Sequence, residues 1–359
     1  MKPTLLLLVL VSLADAVVFK APVHKSASLR AQLIKEGTFS DFLIRQNLAC
    51  ATSASLILSN SAVGKQPFID YYDDLYTAEL SIGTPWQNFT VKVDTAQTDI
   101  WVIDIICKTP ACRGYAESGY MTQFDMARAS TDVMNLGGIV SEVNQGFGLA
   151  QEVIDIFEQL PIDGVLGLAW PAQGEVLVNL LLRNNLDKLD ASLFTIWLDR
   201  RAEPKEAKLG GLISYGALDN EHCDSQVIGC RLRDPLLLSN VLTVPDDSLL
   251  NRILLFQCKE VISDTGNAWV GAPASAVDGV AKATSAKYDS LNQMYTVPCK
   301  GNSPDMVFTI GGKTFNVPSS EYVIDVSLGN GKCALAIFEV APAGWGPDWK
   351  FGNVWIRTY

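Results

Sequence analysis

Histidine is almost absent: the 359 residues contain two, His24 and His222. Chemistry that depends on an imidazole base or metal ligand therefore has little to draw on. His222 lies in the polar turn Asn220-Glu221-His222-Cys223-Asp224 and reads as an exposed loop residue. Neither His-Glu-x-x-His nor Gly-x-Ser-x-Gly occurs, which argues against zinc and serine hydrolases. Cations are also in deficit. Lys plus Arg number 28 against 39 Asp plus Glu, a net charge of −11. Phosphate backbones would be repelled, so no nucleic-acid partner is expected. No apolar run approaches the roughly 20 residues needed to cross a bilayer, so no membrane span is expected either.

Apolar material, by contrast, is plentiful. Hydrophobic residues make up 48% and charged residues 19%, with 8 Trp, 14 Phe and 10 Tyr, which excludes a mainly disordered chain. The length predicts roughly two domains plus processing segments. Lys2, the short apolar run Leu5 to Leu13 and Ala14-Asp15-Ala16 form the pattern of a secretory signal over residues 1–16. Eight cysteines in such a chain read as disulfides before metal ligands. Asn88-Phe89-Thr90 is a glycosylation sequon on Asn88.

Residues 17–65 carry Lys20, Lys25, Arg30, Lys35, Arg45 and Lys65 against Glu36 and Asp41, a local charge of +4. Residues 1–16 are neutral, leaving −15 on the remainder. A basic segment ahead of an acidic body can dock on it by charge complementarity and come off later. Leu29, Leu33 and Ile34, then Phe42 and Leu43, fall at helical spacing around Gly37. The segment reads as a basic amphipathic arm or, more sharply, an inhibitory prosegment. The Ala/Ser-rich stretch 49–62 would be its linker. Beyond it the chain reads as β: Val91, Val93, Ile100, Val102 and Ile103 are strand formers, and turn residues punctuate short runs. Helical patterns are few, at 175–186 and 274–283. An all-β, barrel-like architecture follows.

One pattern occurs twice. Val91-Lys92-Val93-Asp94-Thr95-Ala96-Gln97 is echoed by Val261-Ile262-Ser263-Asp264-Thr265-Gly266-Asn267, each followed by a Trp (Trp101, Trp269). Each copy has a later apolar segment with glycine, Val165-Leu166-Gly167 and Trp349-Lys350-Phe351-Gly352. Two copies predict a pair of pseudo-symmetric lobes. An Asp at the end of each buried strand lets the lobes present two carboxylates at one interface. Two such charges about 3 Å apart share one proton, giving a base for water and an acid for a carbonyl. The small Ala96 and Gly266 let the backbone approach and donate to the carboxylates.

With these motifs the chain resembles the pepsin/cathepsin D family of aspartic endopeptidases, most of all secreted invertebrate gut-type members. Ile82-Gly83-Thr84-Pro85, Asp163-Gly164-Val165-Leu166-Gly167-Leu168, Gly210-Gly211-Leu212-Ile213-Ser214-Tyr215-Gly216, Phe308-Thr309-Ile310-Gly311-Gly312 and Gly331-Lys332-Cys333-Ala334-Leu335 also carry the likeness. The resemblance implies an all-β bilobal fold with few short helices: prosegment 17–65, N-terminal lobe 66–192 and C-terminal lobe 193–359. It implies Asp94 and Asp264 as catalytic dyad, and Thr95 and Thr265 bracing the two loops together with Ala96 and Gly266. It further implies disulfides Cys107–Cys112 and Cys299–Cys333, with Cys50, Cys223, Cys230 and Cys258 unassigned. No metal or cofactor is implied. Protein or peptide substrates, a monomer, and a secreted or lysosomal location are expected.

The sequence departs from that family in four places. Three residues beyond each Asp, where a hydroxyl is usual, stand Gln97 and Asn267. The interval from Asp94 to Asp163 is too short by about a hairpin to hold the usual Tyr-bearing flap, and the chain jumps at Thr131 to Asp132. Residues 230–260 are leucine-rich and do not match, and Arg357-Thr358-Tyr359 precedes the usual last strand. Such a combination points to a degenerate paralogue or a misassembled gene. Two functions follow: an acid-active aspartic endopeptidase made as a zymogen, or an impaired pepsin-like protein that binds peptides or proteins.

Overall fold

In the computed structural model the described residues are 18–44, 75–107, 112, 130–141, 145–151, 153, 160–169, 189, 191, 193–199, 209–223, 253–254, 261–310, 313–340 and 348–359. The expected signal, the linker, the helix at 175–186, residues 113–129, Cys50, Cys230, Cys258 and most of 230–260 lie outside them, whereas the Thr131–Asp132 junction, where the flap is expected to be missing, lies within them.

The first strand, Phe19–Lys25, turns Ala21 and Val23 inward by simple alternation. It pairs antiparallel with Leu209–Tyr215 on one side and with the start of Tyr76–Ile82 on the other. Thus it stands third in an eleven-stranded sheet rather than lying on its surface. Leu29–Lys35 follows as a helix whose N-cap Ser28 accepts a hydrogen bond from the Ala31 N–H at 3.1 Å. Residues 39–44 are helical as well, after Gly37 at φ +71°. The spacing of Leu29, Leu33, Phe42 and Leu43 therefore has the helical meaning expected of it.

Two cores result. One gathers Val91, Val93, Ile100, Val102, Leu136, Phe147 and Leu166 with Ala21 and Val23 of the first strand. The other gathers Trp269, Val280, Phe308, Tyr322, Leu335, Trp349 and Phe351 with Leu29, Leu33, Phe39, Phe42 and Leu43. The basic N-terminal segment is thus divided, its strand in the first core and its helices on the second. Arg30 is fully buried there, its guanidinium 4.1 Å from the Trp269 ring and 5.3 Å from that of Phe39. The helix expected near 274–283 is present as Ala274–Ala283, with Ala276, Val277, Val280 and Ala281 buried.

The repeat is visible in the topology. Gln87–Asp94 pairs parallel with Gly164–Gly167, which pairs antiparallel with Ile100–Ile103, which pairs parallel with Gln145–Ala150. In the second half Val261–Ser263, Trp349–Phe351, Val270–Ala272 and Ile337–Glu339 make the same sequence of pairings. The order of strands and the parallel–antiparallel–parallel pattern agree throughout, and in each half an Asp stands at the end of the first strand.

Candidate active site

Each Asp stands at the C-terminal end of its strand, where a short loop turns back. Asp94 closes Gln87–Asp94, and its carbonyl accepts from the Leu168 N–H at 2.9 Å. Asp264 follows Val261–Ser263, and its N–H donates to the Phe351 carbonyl at 2.9 Å. In both loops the N–H two residues on donates to the inner carboxylate oxygen: Ala96 to Asp94 Oδ1 and Gly266 to Asp264 Oδ1, each at 2.9 Å.

The threonines lock one loop to the other. The Thr95 N–H donates to Thr265 Oγ1 and the Thr265 N–H to Thr95 Oγ1, both at 3.0 Å. Each hydroxyl then donates across the interface, Thr95 Oγ1 to the Ser263 carbonyl at 2.7 Å and Thr265 Oγ1 to the Val93 carbonyl at 2.9 Å. Every hydroxyl accepts one bond and donates another, so four backbone groups at the meeting of the two halves are satisfied. This crossing brings Asp94 and Asp264 to face one another. A Cβ on Gly266 would lie 2.3 Å from Asp94 Oδ2, so only glycine permits that approach. A Cβ on Gly352 would likewise lie 2.1 Å from the Trp269 carbonyl, where the second loop packs on the neighbouring strand.

Both carboxylates are buried, at 3% exposure each. Burial, then the charge of Asp94, pushes the Asp264 carboxyl up to about 6, against the pull of Lys350, Lys92 and the Gly266 N–H. The amide of Asn267 takes the place a hydroxyl would hold, donating from Nδ2 to Asp264 Oδ2 at 2.6 Å. At Asp94 the outer oxygen meets a different group. Lys92 Nζ lies 3.2 Å from Asp94 Oδ2, and Lys350 Nζ lies 3.8 Å from Asp264 Oδ2. Sequence reasoning passed over both lysines; the available signal was a Lys inside an apolar strand two residues before an Asp, and another beside the second glycine.

The remaining candidates are placed apart from this pair. Cys107 is bonded to Cys112 and Cys299 to Cys333, while Cys223 is exposed and unpaired among the described residues. Asn88 is exposed on its strand, its Oδ1 accepting from Ser81 Oγ at 2.8 Å. His222 sits in the polar turn expected of it, its Nδ1 2.8 Å from Asp219 Oδ2 and its ring stacked on Trp197 at 3.9 Å. Among the described residues no helix is long and apolar enough to cross a membrane.

Residues 75–131 and 119–359 match the model of the eukaryotic aspartyl protease family, in two stretches that overlap around the expected flap deletion. Aspartic protease 1 of Caenorhabditis elegans is 40% identical over 385 residues, covering 99% of this chain and 94% of that protein. Those 385 aligned positions exceed the chain's own 359 residues by 26, so the relative has residues without a counterpart here. Aspartic protease 17 of the same nematode is 34% identical over 98% of this chain and 94% of its own length. Pepsin A of Suncus murinus is 28% identical over the whole of this chain and 96% of its own length.

Proposed function

Since the chain belongs to the eukaryotic aspartyl protease family, we propose that Asp94 and Asp264 are its catalytic dyad and hydrolyse peptide bonds in acid. The observation that carries this reading is the reciprocal threonine crossing, which holds two buried carboxylates on facing loops. With one proton between the pair, the ionised carboxylate takes a proton from a water whose oxygen attacks the scissile carbonyl. The protonated carboxyl gives its proton to the carbonyl oxygen, forming a gem-diol. Collapse of that diol breaks the C–N bond, and the leaving amine takes up the proton, so peptide and water become acid and amine. The Ala96 and Gly266 N–H groups steady the inner oxygens while charge moves between the two.

The wider reading is a zymogen of the secretory pathway, secreted or lysosomal and glycosylated at Asn88. Residues 17–65 act as prosegment: a +4 segment on a −15 body binds at neutral pH and weakens as carboxylates protonate. Cleavage of an unfolded protein substrate between pH 3 and pH 6 tests the activity. Asp94→Asn and Asp264→Asn should each abolish it, because one carboxyl cannot be both base and acid. Unchanged turnover in either variant would remove the mechanism. A second reading, a pepsin-like protein that binds peptides without cleaving them, is favoured by the alignment positions, at least 26, that have no residue of this chain. Peptide binding with no hydrolysis at any pH would establish it.

A further inference from the structure

Two cations stand within the site and have no part in the chemistry just described. Lys92 precedes Asp94 by two residues on one strand, so both side chains leave the same face. Its Nζ is 3.2 Å from Asp94 Oδ2, with the two side chains 2% and 4% exposed. Lys350 lies on the partner strand of the second half, opposite Ile262, which precedes Asp264 by two residues. Lys92 in turn lies opposite Val165. The lysines therefore occupy the same rung of the duplicated ladder, one on the aspartate strand and one on its neighbour.

The two pairs are unequal. An ammonium as buried as Lys92 is stable only beside a compensating charge, and Asp94 supplies it. Lys350 is 3.8 Å from its carboxylate and 16% exposed, so water competes for it. Asp264 also faces the Asp94 charge, which favours a proton on Asp264. The strands themselves thus bias which carboxyl keeps the proton.

We propose that Lys92 and Lys350 are positioning residues of the dyad, and that Lys92 holds Asp94 as the carboxylate and so leaves the shared proton on Asp264. On the reading of the pair as a hydrolytic dyad, Asp94 is then the base toward water and Asp264 the acid toward the carbonyl. Among the described residues, the groups that face the pair are Lys92 from the first aspartate strand, the Ala96 N–H from the first loop, Lys350 from the neighbour of the second strand, and the Asn267 amide and Gly266 N–H from the second loop.

The test is a carbon-13 NMR titration of the full chain labelled at the aspartate carboxyls, with Asp94→Asn and Asp264→Asn identifying the two resonances. Asp94 should ionise at lower pH than Asp264. Lys92→Met should raise the Asp94 midpoint by about one unit or more, the size of effect an adjacent opposite charge exerts. Lys92→Arg should restore it, and the acid limb of kcat/KM should move with it. An Asp94 midpoint unmoved in Lys92→Met, or an Asp264 that ionises first, overturns the proposal. If Lys92→Met does not fold, the parent's order of ionisation and Lys350→Met decide together: Asp94 should ionise before Asp264, and the Asp264 midpoint should rise in Lys350→Met, and failure of either overturns the proposal. Titration needs no turnover. Shifted midpoints without hydrolysis would therefore defeat the protease reading alone, and hydrolysis with unmoved midpoints would defeat only this one.

Discussion

Replacing Asp264 by Asn should flatten the dependence of stability on pH. The Asp264 carboxyl rises from an ordinary 3.8 to about 6 in the folded protein, chiefly because burial penalises its charge and secondarily because Asp94 repels it. A raised carboxyl binds its proton more tightly folded than unfolded. Its contribution is therefore fully present below about pH 3.8 and is lost as pH rises through about 6. About two units at ~1.4 kcal/mol each is about 3 kcal/mol, withdrawn between pH 4 and pH 7. Asn keeps the size and a donor but cannot ionise. In urea unfolding with disulfides intact, Asp264→Asn should match or trail the parent at pH 4 and exceed it by up to about 3 kcal/mol at pH 7. The difference between the two curves isolates the coupled pair from the other carboxylates. Parallel curves from pH 4 to pH 7, or a variant weaker at pH 7, would refute the argument.

Thr95→Val should orphan the Thr265 N–H and the Ser263 carbonyl, costing about 2–4 kcal/mol in urea unfolding; Thr265→Val should do the same to Thr95 and Val93. A loss under about 0.5 kcal/mol in both would mean the crossing carries no stability. Asn267→Ala removes a donor to the charged form of Asp264, so the pH at which stability falls should move upward, read in the same urea series. Arg30→Met should loosen the helices at 29–35 and 39–44 from Trp269, seen as faster limited proteolysis near residue 45 at neutral pH. Unchanged cleavage would show that the aromatic sandwich does not hold the segment.

The duplicated Asp-Thr pattern announced both loops, because a loop that must meet its own copy is written locally in each half. The helices at Ala274–Ala283 and Leu29–Lys35 were legible for a similar reason, since apolar periodicity is short-range. The pairing of Phe19–Lys25 with Leu209–Tyr215 was not legible. The two segments are nearly two hundred residues apart, and neither carries a mark of the other beyond alternation. Lys92 and Lys350 were quoted within the repeat yet assigned nothing. A lysine in an apolar run takes its meaning from its neighbour across the pleat or the rung, and that neighbour is fixed only once strands register.

The place of Phe19–Lys25, hydrogen-bonded on both sides inside the large sheet, makes cutting the chain and losing the peptide two different events. A cut among the residues that follow the second helix would leave this strand stitched in place, so a denaturing gel would show a shortened chain while gel filtration would show an unchanged particle. If the strand did leave, Leu209–Tyr215 would lose its whole partner on that side and, where His24 and Lys25 had bridged it to Tyr76 and Thr77, a gap two strand spacings wide would open, roughly 9–10 Å, too far for N–H and C=O groups to meet. If residues 17–65 are a prosegment, its removal would therefore be a substitution: another extended segment would have to enter the gap as the first one goes, and without a substitute the cleaved peptide would stay on as a tenant.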